Sequence, residues 1–249
     1  MPTSSGHSGS APVTYEIAGR TVTMPCLVRD ASAGTAMFDV DLAAARALVP
    51  APFVPVETSP GRCQLVLAVI DYRDNDLGDY LEVGVTFFVT PGAGASGEAG
   101  GAGEAGTFIT RLPVDQEFTC EAGRTIWGFP KTVEEIALDR TDTSATCELR
   151  MDGELVLRLT LPRGGSDDMP QMPMTTYTLI DGAPHATPFV QGGAGSQVVA
   201  GGDGVTVELG DHPVAKELAA LGLPAPAQMS TWTEHMQGRF DTPVPLASA

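Results

Sequence analysis

Residues 63–90 decide the fold class; they read CQLVLAVIDYRDNDLGDYLEVGVTFFVT. Cys63 to Tyr72 is a nearly continuous apolar run, which is typical of a buried strand. Leu77-Gly78-Asp79 is a turn signal, and the apolar segment Tyr80 to Thr90 predicts a second strand after it. Two long strands joined by a turn predict a β-rich protein.

Strand-like segments continue towards the carboxyl terminus. Thr146–Arg150 and Leu155–Leu161 flank Asp152-Gly153, which is a strong signal for a two-residue hairpin turn. About eight or more strands alternate with two or three short helices, and so many strands without covering helices favour a closed barrel or a sandwich.

Two short helices are predicted from their boundary residues. Asp41 is expected to cap a helix over Leu42–Val49, which two prolines end. Near the end of the chain, Asp211 is expected to cap a helix that contains Val214–Leu221, with Pro213 at its start and Gly222 at its end. Both helices are short enough to lie at the periphery of a β-structure.

The amino-terminal region and one internal segment differ from the rest of the chain in composition. Residues 1–14 are rich in Ser and Gly and predict a disordered tail without a secretory signal. Residues 15–249 are expected to form one domain. Within it, the Gly-rich segment 92–106 predicts an extended hairpin tip inserted between two strands. No apolar run reaches the length needed to span a membrane, so a cytoplasmic location is expected.

Charge limits the possible partners. The chain of 249 residues carries 31 acidic and 14 basic side chains, a formal net charge of −17. This field repels nucleic acid and anionic membrane surfaces, so neither is an expected partner. An anionic small substrate would be repelled as well, and its site therefore needs a local cation.

The cysteines and histidines suggest no metal or disulfide framework. The four cysteines lie far apart without a C-x-x-C pair, and Cys63 and Cys120 occur in strand-like apolar surroundings. They are expected to be small buried hydrophobic residues with free thiols. The four histidines lack metal-ligand spacing, and no G-x-S-x-G motif offers a serine nucleophile. No metal and no organic cofactor are expected.

One lysine stands out. The chain has two, and Lys216 is interpreted as a solvated helix residue. Lys131 follows Trp127, Phe129 and Pro130, a rigid and aromatic context after what is interpreted as a strand. A lysine in an apolar pocket loses solvation of its charged form, and the neutral amine that results can attack a carbonyl. Composition alone favours the other interpretation, a lysine that extends its ammonium to solvent.

The segment Glu121–Lys131, EAGRTIWGFPK, closely resembles the signature of the acetoacetate decarboxylase family, in which a Gly-Arg pair precedes an aromatic residue, a proline and the Schiff-base lysine. The resemblance implies that Lys131 is the nucleophile. The segment Leu77–Glu82 resembles the one that carries the family's glutamate, which implies that role for Glu82, and Gly19-Arg20 resembles the segment of the family's arginine, which implies Arg20. The implied fold is a closed, mostly antiparallel β-barrel or cone with a few short peripheral helices and an interior site. Similar proteins form oligomers, so a homo-oligomer is expected here.

Two departures from the family pattern bear on the reaction. Decarboxylases carry a second lysine directly after the nucleophile, whereas this chain has Thr132. Desolvation alone would then have to favour the neutral form of the Lys131 amine. The family also has an acid on the strand before the glutamate turn, whereas Leu65-Val66-Leu67 contains none.

Three functions remain open. The first is decarboxylation of a β-keto acid such as acetoacetate through an imine on Lys131, with Glu82 and Arg20 as further catalytic residues and with Phe129 and Trp127 lining a dry substrate pocket. The second keeps the imine but performs aldol condensation and dehydration, or cyclisation, on a pyruvate-like oxo-acid. The third is a non-catalytic barrel that binds a small ligand. Arg124 is interpreted as structural.

Overall fold

The computed structural model describes residues 13–92, 95–96 and 104–248, and most of these residues lie in strands. The helices are α1 (Leu42–Leu48), α2 (Glu117–Trp127) and α3 (Pro213–Ala220). The strands, in chain order, are β1 (Thr14–Ile17), β2 (Arg20–Thr23), β3 (Cys26–Asp41), β4 (Phe53–Pro55), β5 (Glu57–Ser59), β6 (Arg62–Asn75), β7 (Tyr80–Pro91), β8 (Ala95–Ser96), β9 (Gly106–Val114), β10 (Lys131–Val133), β11 (Glu135–Arg140), β12 (Ser144–Met151), β13 (Glu154–Pro162), β14 (Asp167–Ile180), β15 (Ala183–Ala200), β16 (Thr206–Leu209), β17 (Met229–Phe240), β18 (Val244–Pro245) and β19 (Ala247–Ser248).

Seven strands close into a barrel in the order β9, β14, β15, β17, β3, β6 and β7, and β7 pairs with β9 to complete the ring. The β14–β9 pair is parallel, with Thr176 opposite Thr107. The other six pairs of the ring are antiparallel. The predicted closed, mostly antiparallel barrel with few short helices is confirmed.

A second, four-stranded antiparallel sheet packs against the outside of the barrel in the order β11, β12, β13 and β16. Leu159 and Leu161 of this sheet share a buried cluster with Phe38, Leu65 and Leu67 of the barrel. Because the main core lies between the two sheets, one face of β6 is fully buried, and its other face is half-buried towards the barrel interior. This double burial explains why Cys63–Tyr72 is apolar almost throughout.

The predicted hairpin at Asp152-Gly153 is confirmed. Asp152 and Gly153 connect β12 and β13 with φ values of 52° and 76°, as a type I′ turn requires. The two sheets pack closely at Gly34, where a Cβ would lie 2.6 Å from Leu161 Cδ1 and 2.6 Å from Trp232 Cε3. A side chain at position 34 would therefore separate them.

Both predicted helices are present, and one of the two caps is corrected. The Asp41 carboxylate accepts a hydrogen bond from the Ala44 N–H at 2.7 Å, and α1 ends one residue before the predicted end. At α3 the cap is His212 rather than Asp211: His212 Nδ1 accepts from the Val214 N–H at 3.2 Å. Since Pro213 occupies the first helical position, the residue directly before it takes the cap.

Helix α2 was not predicted, and it corrects two expectations. Cys120 lies in this helix rather than in a strand, and Lys131 follows a helix rather than a strand. Gln116 caps the helix through a 2.7 Å hydrogen bond from the Thr119 N–H to its side-chain oxygen. A glutamine cap is a weak signal in a sequence, because Ser, Thr, Asp and Asn are the residues favoured there.

All four cysteines are buried and have free thiols, as expected. Residues 1–12 of the expected tail lie outside the described residues, and the first strand begins at Thr14, one residue inside the expected tail. The predicted Gly-rich insertion also lies largely outside them, at residues 93–94 and 97–103. Its flanking strands pair as a hairpin, with Val89 opposite Gly106. None of the three helices has the length and apolar character that crossing a bilayer requires.

Candidate active site

The end of α2 positions Lys131. Gly128 adopts a left-handed conformation with φ of 68°, and its N–H donates to the Arg124 carbonyl at 3.2 Å. The Phe129 N–H donates to the Gly123 carbonyl at 3.1 Å, which completes a glycine-terminated helix end. The chain then enters β10, where Lys131 lies opposite Leu112 of the barrel strand β9.

Lys131 is buried and forms an ion pair inside the protein. Its Nζ lies 2.8 Å from Glu82 Oε2, and the two side chains are 3% and 7% exposed. Nζ also donates to the Thr119 hydroxyl at 3.1 Å and lies 4.8 Å from the centre of the Tyr80 ring. The structure thus brings together the lysine and the glutamate that the sequence singled out, from α2–β10 and β7 respectively.

Two tyrosines surround the glutamate. The Tyr72 hydroxyl donates to Glu82 Oε1 at 3.3 Å, and the rings of Tyr72 and Tyr80 stack with their centres 4.4 Å apart. Burial, and next the negative charge of Glu82, raise the pKa of each tyrosine well above its usual value. Both phenols therefore remain protonated at neutral pH, and that of Tyr72 remains a hydrogen-bond donor to the carboxylate.

Gly123 leaves room for the lysine side chain. A Cβ at this position would lie 2.6 Å from Lys131 Cδ and 2.7 Å from Lys131 Cε. Carbon atoms in contact stay about 3.5–4.0 Å apart, so any side chain at position 123 would displace the lysine. The first residue of the Gly-Arg pair thus has a steric role that sequence reasoning did not assign.

Sequence reasoning also missed Thr119 and Tyr72 as neighbours of the ion pair. A signal for Thr119 was present, since it recurs with Ala122, Gly123 and Ile126 at the spacing of one helical face, and these residues are buried. No comparable signal marks Tyr72, because its contact with Glu82 depends on the pairing of β6 with β7.

The ion pair borders a cavity of about 300 Å³ inside the barrel. Trp127 and Phe129 line it, as predicted for the substrate pocket, and their rings stack with centres 5.7 Å apart. Alternate residues of β7 share the face that points into it, since Tyr80, Glu82, Gly84 and Thr86 all line this cavity. Among the described residues of its lining, Lys131 and Glu82 alone carry charge.

Lys131 also borders a second, more polar cleft of about 430 Å³, which Arg111, Arg124 and Thr132 line. Arg111 forms an ion pair with Glu217 at 2.7 Å. Arg124 is exposed and forms no ion pair with any residue in the described parts of the chain. Thr132, at the position where the decarboxylases have a second lysine, lines the same cleft as Lys131.

The structure does not bring Arg20 to this site. Arg20 begins β2 on the surface, and its guanidinium carbon lies 3.6 Å from the centre of the Phe118 ring. It lines neither the cavity nor the cleft. Within the described ranges, no group of three or more His, Cys, Asp or Glu side chains could hold a metal ion.

The protein is a closed β-barrel whose apolar cavity has a buried lysine–glutamate pair in its wall. A family model described as acetoacetate decarboxylase matches residues 10–244. The chain belongs to the acetoacetate decarboxylase family and is an acetoacetate decarboxylase-like enzyme. No curated protein matches the chain significantly.

Similar solved structures share the fold at low sequence identity. Acetoacetate decarboxylase from Legionella pneumophila is 17% identical, with a TM-score of 0.65 over 90% of this chain and 88% of that one. The enduracididine biosynthesis enzyme MppR complexed with pyruvate is 14% identical, with a TM-score of 0.63 over 96% and 99%. An acetoacetate decarboxylase-like enzyme from Sphingomonas wittichii is 17% identical, with a TM-score of 0.56 over 92% and 95%.

Proposed function

We propose that this protein is a cofactor-independent lyase that forms an imine between Lys131 and an oxo-acid, and that it decarboxylates a β-keto acid. The observation that carries the proposal is the buried contact of 2.8 Å between Lys131 Nζ and Glu82 at the wall of an apolar cavity. A buried amine beside a carboxylate can transfer a proton to it and become the neutral nucleophile that attacks a carbonyl.

The chemistry follows from this pair. The Lys131 lone pair attacks the ketone carbon, and loss of one water gives a protonated imine. The C–C bond to the carboxylate then breaks, its electron pair moves into the imine to give an enamine, and carbon dioxide leaves. Protonation of the enamine carbon and addition of water release a ketone one carbon shorter and the free amine.

The neighbouring residues have distinct roles in this proposal. Glu82 accepts the proton of the ammonium group and later returns one, and the Thr119 hydroxyl orients the amine by its 3.1 Å hydrogen bond. Trp127 and Phe129 exclude water from the imine. Arg124 supplies the local cation that a net charge of −17 makes necessary for an anionic substrate.

The two lysines of the chain allow a matched experiment. Wild type, Lys131→Met and Lys216→Met would be incubated with acetoacetate, reduced with borohydride and analysed by intact mass and peptide mapping. Lys216 is exposed on α3 and serves as the control. We expect an acetone-derived adduct on Lys131 in wild type and Lys216→Met, and no such adduct in Lys131→Met. A folded wild type that gives no adduct with acetoacetate or with pyruvate would refute the imine and favour a binding barrel.

A second candidate keeps the imine and changes its fate. Thr132 and the acid-free segment Leu65-Val66-Leu67 depart from the decarboxylase pattern, and Val66 lines the cavity. MppR, a structural neighbour of this chain, is described in complex with pyruvate. An aldolase-dehydratase or cyclase would give an adduct on Lys131 that retains the carboxylate, and it would release no carbon dioxide.

A further inference from the structure

We propose that the oxo-acid substrate carries an extended apolar substituent on its carbonyl, and that Gly84 and Ala68 form the passage that admits this substituent into the barrel. The inference rests on the proposed imine chemistry at Lys131. It adds the class of substrate and two residues that determine it.

The cavity is long in the direction of the barrel strands. On β7, alternate residues from Tyr80 to Phe88 line it, and on β6 alternate residues from Val66 to Tyr72 do so. At about 3.3 Å per residue, these segments are roughly 26 Å and 20 Å long. The volume of about 300 Å³ equals roughly ten water molecules, more than a four-carbon acid occupies.

The strand register divides the lining into three successive rows. Ile70 and Glu82 are opposite each other in the row that carries the charge. Ala68 lies opposite Gly84 in the next row, and Val66 lies opposite Thr86 in the row beyond, where Met37 is the partner of Val66 on β3. The middle row thus has the smallest side chains, and it lies between Glu82 and the apolar end, which are about 13 Å of strand apart.

The far rows favour an apolar guest. Met37, Val66 and Phe88 line this part of the cavity beside Thr86. In the middle row, the hydroxyl of Thr35, opposite Ala68, is already hydrogen-bonded to Thr231 at 2.7 Å. Charge is confined to the other end, at Lys131 and Glu82, in the lining that the structure describes. A carbonyl at Lys131 with a hydrocarbon chain beyond it matches this distribution, and each buried methylene group favours binding.

The absence of a side chain at Gly84 leaves the passage open. The backbone does not require glycine there, because its φ lies outside the left-handed region. A Cβ at position 84 would lie 3.4 Å from Ala68 Cβ, 3.6 Å from Thr86 Oγ1 and 3.7 Å from Leu112 Cδ1. These are ordinary contacts, so an alanine fits. The larger side chain of a valine would extend further into the passage.

The test compares two substrates in three proteins. The rates of borohydride trapping at Lys131 with acetoacetate and with 3-oxooctanoate would be measured for wild type, Gly84→Val and Thr90→Val. We expect wild type to favour 3-oxooctanoate at least tenfold, because one methylene group in an apolar pocket already discriminates about 10- to 200-fold. Gly84→Val should lower this preference at least tenfold, and Thr90→Val, which lies on the same strand but outside the cavity lining, should keep it.

The outcomes separate this inference from the proposed function. Absence of an adduct with both acids in folded wild type would refute the imine itself. Trapping of acetoacetate without a preference for the longer acid, or a preference that Gly84→Val leaves unchanged, would refute the inference alone. If Gly84→Val does not fold, Gly84→Ala and Ala68→Val narrow the same row, and an unchanged preference in both would also overturn it.

Discussion

Replacement of Gly123 by alanine tests whether the position of the Lys131 amine, rather than its presence, determines reactivity. The added Cβ would lie 2.6 Å from Lys131 Cδ, and restoring a contact distance of about 3.5 Å requires a shift of about 1 Å. The Lys131 amine is held by Glu82 at 2.8 Å and by Thr119 at 3.1 Å, so a shift of the side chain would disturb both contacts. A misplacement of about 1 Å at a reacting group can lower its rate by about 10²-fold.

The stability of the same variant should change in a different way. Alanine is favoured over glycine inside a helix by about 1 kcal/mol, which offsets part of the steric cost at position 123. We therefore expect Gly123→Ala to fold, with its free energy of unfolding within about 2 kcal/mol of wild type. Thr125→Ala, on the exposed face of α2, is the matched control and should leave both properties unchanged.

The assay is the initial rate of borohydride trapping with acetoacetate, together with a urea unfolding curve for each protein. A folded Gly123→Ala that traps acetoacetate at the wild-type rate would refute the steric role of Gly123. A variant that loses trapping because it unfolds would be identified by the urea curve.

Three further predictions concern stability and the thiols. Burial raises the pKa of Cys26 and of Cys147 to about 12, so the native protein should react slowly with a disulfide reagent at pH 8, whereas all four thiols should titrate in guanidinium. Gly34→Ala should lower the free energy of unfolding by about 1–3 kcal/mol, because its Cβ would overpack the contact between the two sheets; an unchanged urea midpoint would contradict that packing. Arg73 lowers the pKa of Asp30 to about 2, so the stabilisation by this carboxylate is present above about pH 4 and is lost as the pH falls towards 2. Because Asp30 is partly exposed, the loss should be about 1 kcal/mol, and urea midpoints of wild type and Asp30→Asn should converge at low pH.

The sequence predicted correctly those turns and helix caps that depend only on neighbouring residues. The turn at Asp152-Gly153 and the cap at Asp41 depend on a few neighbouring residues, and both are present. Once Tyr80–Thr90 is predicted as a strand, the side chains that share a face with Glu82 follow from the strand period alone.

The sequence did not predict the side-chain contacts that depend on strand pairing or on where α2 ends. Tyr72 contacts Glu82 because β6 and β7 pair in one register, and Thr119 reaches Lys131 because α2 ends at Gly128. Helix α2 itself was missed because its cap is Gln116, and because an interior glycine weakens the helical pattern. The resemblance to the family assigned Lys131 and Glu82 to one active site, which no spacing in this chain implies.

Lys131 and Glu82 are the charged side chains in the described part of the cavity lining, so proton transfer during the proposed reaction depends on this pair. When the imine becomes an enamine, its nitrogen loses its positive charge, and Glu82 is left as a buried carboxylate without its counter-ion. Since no other charged side chain lies in the described part of the lining, the proton that the enamine carbon needs next has to reach Glu82 from solvent.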